Sequence, residues 1–348
     1  MTGISRPSLR KLAAVVSAAV LATLTVAMGV GGASQNKVTI VLYSGQHVQT
    51  TQALVAAFEK KTGITVSARY DDEDTFVDQI QTEGKNSPAD VFFTENSPPL
   101  EELASKGLLS SVAPSTLANT PAKYDATDGK WVGVSARVSV IVYNTSLVKA
   151  SQLPTSAMQL ADPKWKGKIA LAGAETDFQP IVTSVDRTYG KAATLSWLEG
   201  IKSNAGGQDY PDNETIADEV NRGAAAFGVV NQYYWYRMRA ELGASNIHSK
   251  IAYFAPSDPG YVLDVSGAAV LKSSKNQAAA QEFVAFLVSK QGQEVIAHSN
   301  SFEYPLDDGV TTDAAETPFA ELQPNSITVA QLGDGATAIA LLSQAGLL

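Results

Sequence analysis

A run of consecutive apolar and β-branched residues, Val38-Thr39-Ile40-Val41-Leu42-Tyr43, sets the strongest constraint on what this chain can fold into. Such a run predicts a strand covered on both faces, as in parallel sheets flanked by helices. It breaks at Ser44-Gly45-Gln46-His47. A helix is expected over about 49–61, with Leu54, Val55 and Phe58 as its apolar stripe, and Gly63 stops it ahead of a second strand at 64–68. Strand, turn, helix and strand together form the unit of a right-handed parallel crossover. His47 then lies at the carboxyl end of the first strand, where open α/β sheets collect their ligands.

The pattern recurs along the chain. Residues 89–93 read as a short strand, followed by Thr94-Glu95-Asn96 and a helix around 100–106, so Glu95 has the same kind of position as His47. Residues 226–230 form another apolar run, and Asn231-Gln232-Tyr233-Tyr234 follow its end. Candidate ligands thus lie just past three buried strands. Two uninterrupted runs, 139–143 and 268–271, suit strands that cross between lobes.

The ends and composition narrow the function classes. Arg6, Arg10 and Lys11 precede an apolar run over 12–30, and Gly31-Gly32-Ala33 precede a polar segment, so 1–33 reads as an export leader cut after Ala33. The run is also long enough to span a bilayer, which keeps an uncleaved anchor as the competing reading. Cysteine is absent from all 348 residues, which excludes disulfides, a cysteine-anchored lipid and a thiol nucleophile. The whole chain has 26 basic and 35 acidic residues; without the three basic residues of the leader, 23 remain against 35, a net charge of −12. Strong acidity disfavours nucleic acid and anionic membrane surfaces as partners. A mature length near 315 residues predicts two lobes rather than one core.

Two adjacent tyrosines, Tyr233 and Tyr234, stand out inside Asn-Gln-Tyr-Tyr-Trp-Tyr-Arg-Met at 231–238. Phenolate is a hard anionic donor, and a tyrosine of pKa about 10 ligates at neutral pH only when a highly charged cation displaces its proton. Ferric iron is the natural candidate. The chain has only three histidines, His47, His248 and His298, widely spaced, which disfavours an imidazole-rich zinc or copper site. Packing alone is the competing reading, because Tyr233 and Tyr236 stand three apart on any helix begun there. The acidic run Asp71-Asp72-Glu73-Asp74 reads as a solvated helix start rather than a cation site. Ser266-Gly267-Ala268 lacks the frame of a nucleophile elbow.

The chain resembles the ferric ion-binding proteins, the iron-specific soluble components of ABC importers within the extracellular solute-binding proteins. The likeness covers about 37–348 and rests on VLYSGQH (41–47), KKTGITV (60–66), PADVFFTE (88–95), DPKWKGKIA (162–170), NQYYWYRM (231–238), SGAAVLKSSKNQ (266–277) and EYPL (303–306). YSGQH with YYWY is the specific part. The resemblance implies His47, Glu95, Tyr233 and Tyr234 as ligands of Fe(III). Two phenolates and one carboxylate then sum to −3 against the ion, and imidazole adds a neutral donor.

The implied fold is α/β, with a central sheet in each of two lobes, crossing strands and a hinge that closes on the ligand. The expected division gives 34–138 and 264–314 to an N-terminal lobe, and 139–263 and 315–348 to a C-terminal lobe. The implied partners are ferric iron and the membrane permease of an ABC importer. A monomer located in the periplasm or cell envelope is expected.

The sequence also departs from that family. Its best-known members complete the iron shell with phosphate, held by small residues at a helix start, a glutamine after the ligand glutamate and two asparagines. Here Asn213 and Asn231 supply the asparagines, Asn96 replaces the glutamine, and the helix start carries Glu175-Thr176-Asp177. If those carboxylates face the cleft, they repel phosphate and take its place beside iron or an iron-bound water. If they cap a helix and point outward, phosphate or carbonate enters, held by Asn213, Asn231 and Arg137. The first outcome, with no required phosphate, is expected. Two other functions compete: a solute-binding protein of the thiamine, polyamine or oxyanion type, and an exported hydrolase, for which the chain offers no triad.

Overall fold

The computed structural model describes residues 38–312 and 316–348. The leader at 1–33 and the expected lobe boundary at 314/315 lie outside them. Nine strands are present among the described residues: β1 (Thr39–Ser44), β2 (Thr65–Tyr70), β3 (Val91–Thr94), β4 (Val132–Asn144), β5 (Ile169–Ala170), β6 (Phe227–Asn231), β7 (Ser249–Ala252), β8 (Leu263–Val270) and β9 (Tyr304–Pro305). Their order is β2-β1-β3-β8-β4-β6-β5, with β7 and β9 also pairing to β4.

The expected parallel unit is present. β1 pairs with β2 and β3 in parallel, and the helix Val48–Thr62 connects the first two. That helix ends at Gly63, whose φ of 75° is a left-handed conformation glycine adopts without a Cβ penalty. The helix after β3 begins earlier than expected, at Ser97, with prolines at its start where a missing N–H costs nothing.

β4 is the strand that differs most from expectation. Residues 139–143 are only its second half, and all thirteen of its residues are buried. The first half, from Val132 to Val138, pairs antiparallel with β8; the second half pairs antiparallel with β6 and β7. Ser135 and Arg137 hide the first half from a reading of apolar runs, because both are polar and both are buried. β4 therefore joins two sheet regions. One apolar core gathers Ile40, Leu42, Phe58, Val134 and Phe283, while a larger one includes Val140, Val142, Trp197, Val220 and Phe227.

Candidate metal centre

The candidate donors project from the segments just past strand ends on both sides of β4. His47 follows β1 and stands immediately before the helix Val48–Thr62. Its backbone N–H donates to Gln46 Oε1 at 2.7 Å, and Gln46 Nε2 donates to the buried Glu303 at 3.2 and 3.3 Å. Glu303 also accepts from the Ser135 hydroxyl on β4. Glu95 follows β3 in the same way.

Tyr233 and Tyr234 lie in the first turn of the helix Gln232–Leu242, directly after β6. Gln232 pins this helix start, accepting from Val138 N–H at 2.9 Å and donating to Phe302 C=O at 3.0 Å. All three rings are buried, and that of Tyr236 stacks on Phe302. The packing reading thus holds for Tyr236, while Tyr233 and Tyr234 turn their hydroxyls to carboxylates.

The four donors converge. His47 Nδ1 lies 2.8 Å from Glu95 Oε1. The Tyr233 hydroxyl is 3.3 Å from both Glu95 Oε2 and Asp177 Oδ2, and the Tyr234 hydroxyl donates to Glu175 Oε1 at 3.2 Å. The His47 ring meets both tyrosine rings edge-on, with centroids 5.0 and 5.7 Å away. A cavity of about 480 Å³ opens beside them, lined by His47, Glu73, Glu95, Glu175, Thr176 and Tyr234 among others. Among the described residues, no three His, Cys, Asp or Glu side chains form a metal site by themselves. The phenols are what complete this donor set.

Asp177 occupies the position that the sequence left open. It is buried and faces inward: Asn96 Nδ2 donates to its Oδ1 at 3.1 Å and Asn213 Nδ2 to its Oδ2 at 2.8 Å. Two of the side chains expected to cradle an exogenous anion thus hold a carboxylate of the chain itself. Glu175 stands at the start of the short 3₁₀ turn Thr176–Phe178 but makes no side-chain cap bond, and accepts from Tyr234 instead. The outward-capping geometry is therefore not what these two residues adopt. Thr176 is half-buried beside them, its hydroxyl 3.3 Å from Asn96 Nδ2. Asn231 ends β6 and lines a crevice with Asp177 and Asn213 behind the tyrosines.

Arg137 is fully buried on β4, and none of its three guanidinium nitrogens has a hydrogen-bond partner. Burial opposes its charge, but the surrounding Glu303, Tyr233, Asp177 and Asp264 outweigh burial and keep it protonated.

Three comparisons bear on what this arrangement is. Residues 86–325 match the family model described as bacterial extracellular solute-binding protein. The Fe(3+)-binding periplasmic protein of Serratia marcescens is 36% identical over 94% of this chain and 95% of its own length. Iron-bound HitA of Pseudomonas aeruginosa superposes with a TM-score of 0.85 at 40% identity, over 89% of this chain and 99% of that one.

The chain belongs to the bacterial extracellular solute-binding proteins.

A further neighbour, the Trichodesmium IdiA/FutA protein in complex with iron and citrate, has a TM-score of 0.77 at 30% identity, covering 89% of this chain and all of that one. These are two-lobed periplasmic binding proteins, so the α/β fold with crossing strands expected from the sequence is the fold this solute-binding protein has.

The electrostatics of the site follow from burial. His47 is pushed down to about 3, chiefly by burial and then by Arg237, so its imidazole is neutral. Burial, then Asp177, raises Glu95 to about 8. The 2.8 Å contact between them has ion-pair geometry, yet burial drives both groups toward their neutral forms, so it is a hydrogen bond between largely uncharged partners. Tyr233 and Tyr234 are raised well above 10, first by burial and next by Asp177. Glu175 is likewise raised, by burial, Asp177 and Glu95. The site holds its anionic donors loaded with protons. His47 Nε2 and Glu175 Oε2 are buried there without hydrogen-bond partners, which is costly unless a ligand takes them up.

Reading the sequence missed several neighbours of this site. Glu73 belongs to the run expected to be solvated; Asp71, Asp72 and Asp74 are exposed, but Glu73 is buried at 4%. Arg237 sits over both tyrosine rings, 5.3 and 5.8 Å from their centroids. Glu303 and Gln46 lie inside the motifs EYPL and YSGQH without any role having been assigned to them.

Proposed function

We propose that this chain is an exported solute-binding protein that captures ferric iron between its two lobes and delivers it to the membrane permease of an ABC importer. His47, Glu95, Tyr233 and Tyr234 are the protein ligands in this reading. The lobes divide as 34–138 with 264–314 and 139–263 with 315–348, so each contributes two ligands. The observation that carries the proposal is the convergence of two phenols, a carboxyl and a neutral imidazole in one buried, proton-loaded cluster. A small trivalent cation can displace those protons and cancel the charge it creates, at no net buried charge. The Serratia relative is an Fe(3+)-binding protein, and the Pseudomonas and Trichodesmium structures hold iron.

Asp177 takes the place of an exogenous anion in this reading. Phosphate is not required, and water completes the shell where protein donors do not. Two facts support this: the inward carboxylate of Asp177 is already held by Asn96 and Asn213, and Glu175 adds a second carboxyl beside it. A phosphate entering there finds its place filled by two carboxyl groups of the chain, with the amides of Asn96 and Asn213 already committed to one of them. The chain acts as a monomer, the smallest unit that the ligand set requires.

The test is a visible spectrum with metal analysis of the protein as purified, followed by ferric titration with and without phosphate at fixed ionic strength. A tyrosinate-to-iron charge-transfer band at one iron per chain, with affinity independent of phosphate, is the expected result. A protein that stays colourless after ferric loading favours the organic or oxyanion reading instead. A marked gain on adding phosphate shows that Asp177 does not replace the anion.

A further inference from the structure

We infer that Glu73 is a positioning residue that fixes the Asn96 amide so that it holds Asp177 in the anion's seat. The inference rests on the reading of Asp177 given above, and names what enforces it.

Glu73 is the first residue of the helix Glu73–Glu83, and its side chain turns back into the protein beneath the loop that carries His47. A Cβ at position 45 would stand 2.7 Å from Glu73 Cγ and 3.1 Å from its Cα, so only glycine there admits this close approach. The Glu73 carboxyl group then accepts from the Thr94 hydroxyl, from Asn96 backbone N–H at 2.6 Å and from Asn96 Nδ2 at 3.1 Å. Asn96 is itself only 1% exposed.

An asparagine amide has two N–H donors and one carbonyl acceptor. In Asn96 the donors serve two carboxyl groups, Glu73 on one side and Asp177 on the other, with the Thr176 hydroxyl 3.3 Å away. Its Oδ1 is buried without a partner. Leaving that oxygen unpaired is the unfavourable choice for an amide that is free to turn. Glu73 removes the freedom, because its two oxygens already accept from the Thr94 hydroxyl and from both the backbone and side-chain N–H groups of Asn96, and the flipped amide would give up the last of these bonds. The same constraint points a donor across the cleft at Asp177, whose other oxygen is taken by Asn213. Asn96 thus links a residue 23 positions before it to one 81 positions after it, from opposite sides of the proposed lobe division.

Glutamine at 73 would offer an N–H to Asn96, and Asn96 Oδ1 would turn to accept it. The donor to Asp177 would be lost while the volume at 73 is unchanged. Asp177 would then leave its seat, which an external anion could fill.

The test is ferric titration of the full-length protein, with and without inorganic phosphate at fixed ionic strength, on the parent, Glu73→Gln, Asn96→Ala and the double variant. The parent is expected to differ by less than about twofold between the two media. Glu73→Gln should bind about tenfold more weakly without phosphate, the cost of one lost buried hydrogen bond. It should recover most of that loss when phosphate is present. The double variant should be no worse than Asn96→Ala, because both changes remove one contact. Parental affinity in Glu73→Gln without phosphate, an equal loss in both media, or additive losses in the double variant would each overturn the inference while leaving Asp177 in place. A phosphate-dependent gain in the parent would remove the Asp177 reading, and this one with it. A lowered melting temperature in Glu73→Gln does not confuse the outcome, since a purely structural defect weakens binding equally in both media.

Discussion

The two sides of the proposed iron site are built by different means. His47 and Glu95 come from loops just past parallel strands, and a chain of side-chain hydrogen bonds through Gln46, Glu303 and Ser135 holds the backbone at His47. Tyr233 and Tyr234 instead sit in the first turn of a helix pinned to β4 by Gln232, with the Arg237 guanidinium over their rings. The N-terminal side supplies donors whose positions depend on polar contacts; the C-terminal side supplies donors fixed by packing. The contrast extends to charge. In the metal-free protein the phenols are far from ionising, the carboxyl of Glu95 is close to it, and His47 is neutral. Most of the charge that iron must call up therefore lies in the tyrosines.

The largest effect should come from breaking that side. Tyr233→Phe or Tyr234→Phe removes one hydroxyl and one anionic donor while keeping the ring that packs against its neighbours. Removing one partner of a buried charge pair costs about 3–5 kcal/mol, so ferric affinity should fall by on the order of a thousandfold. The charge-transfer colour should shift or bleach, with the thermal melt of the iron-free protein little changed. Isothermal titration and a visible spectrum of the double variant decide it: a coloured, tightly binding double phenylalanine protein is incompatible with these ligands.

Acid should separate the two sides further. Each raised donor must give up its proton to iron, so affinity falls by up to tenfold per pH unit for each proton displaced. Iron release on lowering the pH from 7 to about 4 should follow a slope of more than one proton. The iron-free protein should show a different dependence. Glu95 and Glu73, both raised to about 8 and chiefly by burial, contribute stability that is complete below their unfolded values and lost as the pH rises toward 8. His47, lowered to about 3 by burial, contributes stability that is present above about 6.5 and lost as the pH falls. Between pH 6.5 and 8 only the carboxyls change, so the iron-free melting temperature should fall across that window. Scanning calorimetry reads this directly, and a flat or rising profile contradicts it.

How much of this was legible in the sequence differs between the two sides as well. The buried runs and their turn residues located β1, β3 and β6, and hence His47, Glu95, Tyr233 and Tyr234 at the strand ends, because apolar periodicity reports burial and glycine reports turns. The polar partners left no such trace. Glu73 stands among three exposed acids, and only the fold shows that its side chain turns inward past Gly45. Arg137 and Ser135 interrupt an apolar pattern and so concealed half of β4. The direction of Glu175 and Asp177 could not be read, since a cap and a cleft-facing carboxylate have the same local sequence. It took long-range contacts with Asn96, 81 residues away, and Asn213, 36 away, to separate them.

A smaller effect is expected on the imidazole. His47→Ala removes a donor with no charge to contribute, and water can occupy its coordination position, so the loss should be well below that of either tyrosine change, roughly tenfold to a hundredfold, in line with about 1–3 kcal/mol for a buried polar contact. The colour should persist, because both phenolates remain. The stability of the iron-free variant should lose its decline below pH 6.5. A loss in affinity equal to that of Tyr234→Phe would place His47 and the tyrosines on the same footing, and remove the contrast between the two sides.

The smallest effect should come from Tyr236, which shares a motif with the ligands but not their role. It is 6% exposed, stacks on Phe302 with centroids 6.0 Å apart, and its raised pKa of about 12 reflects burial and then Tyr253. Its hydroxyl faces Thr317, away from the proposed iron donors. Tyr236→Phe keeps the stacked ring and deletes only what its hydroxyl bonds, costing about 1 kcal/mol of stability for each bond lost. Ferric affinity should stay within about twofold of the parent, with the same visible band. If Tyr236→Phe instead weakened iron as Tyr233→Phe does, the helix would act as one unit in binding. The division between phenols that coordinate and phenols that pack would then fail at the one position where sequence spacing alone had suggested that Tyr233 and Tyr236 were alike.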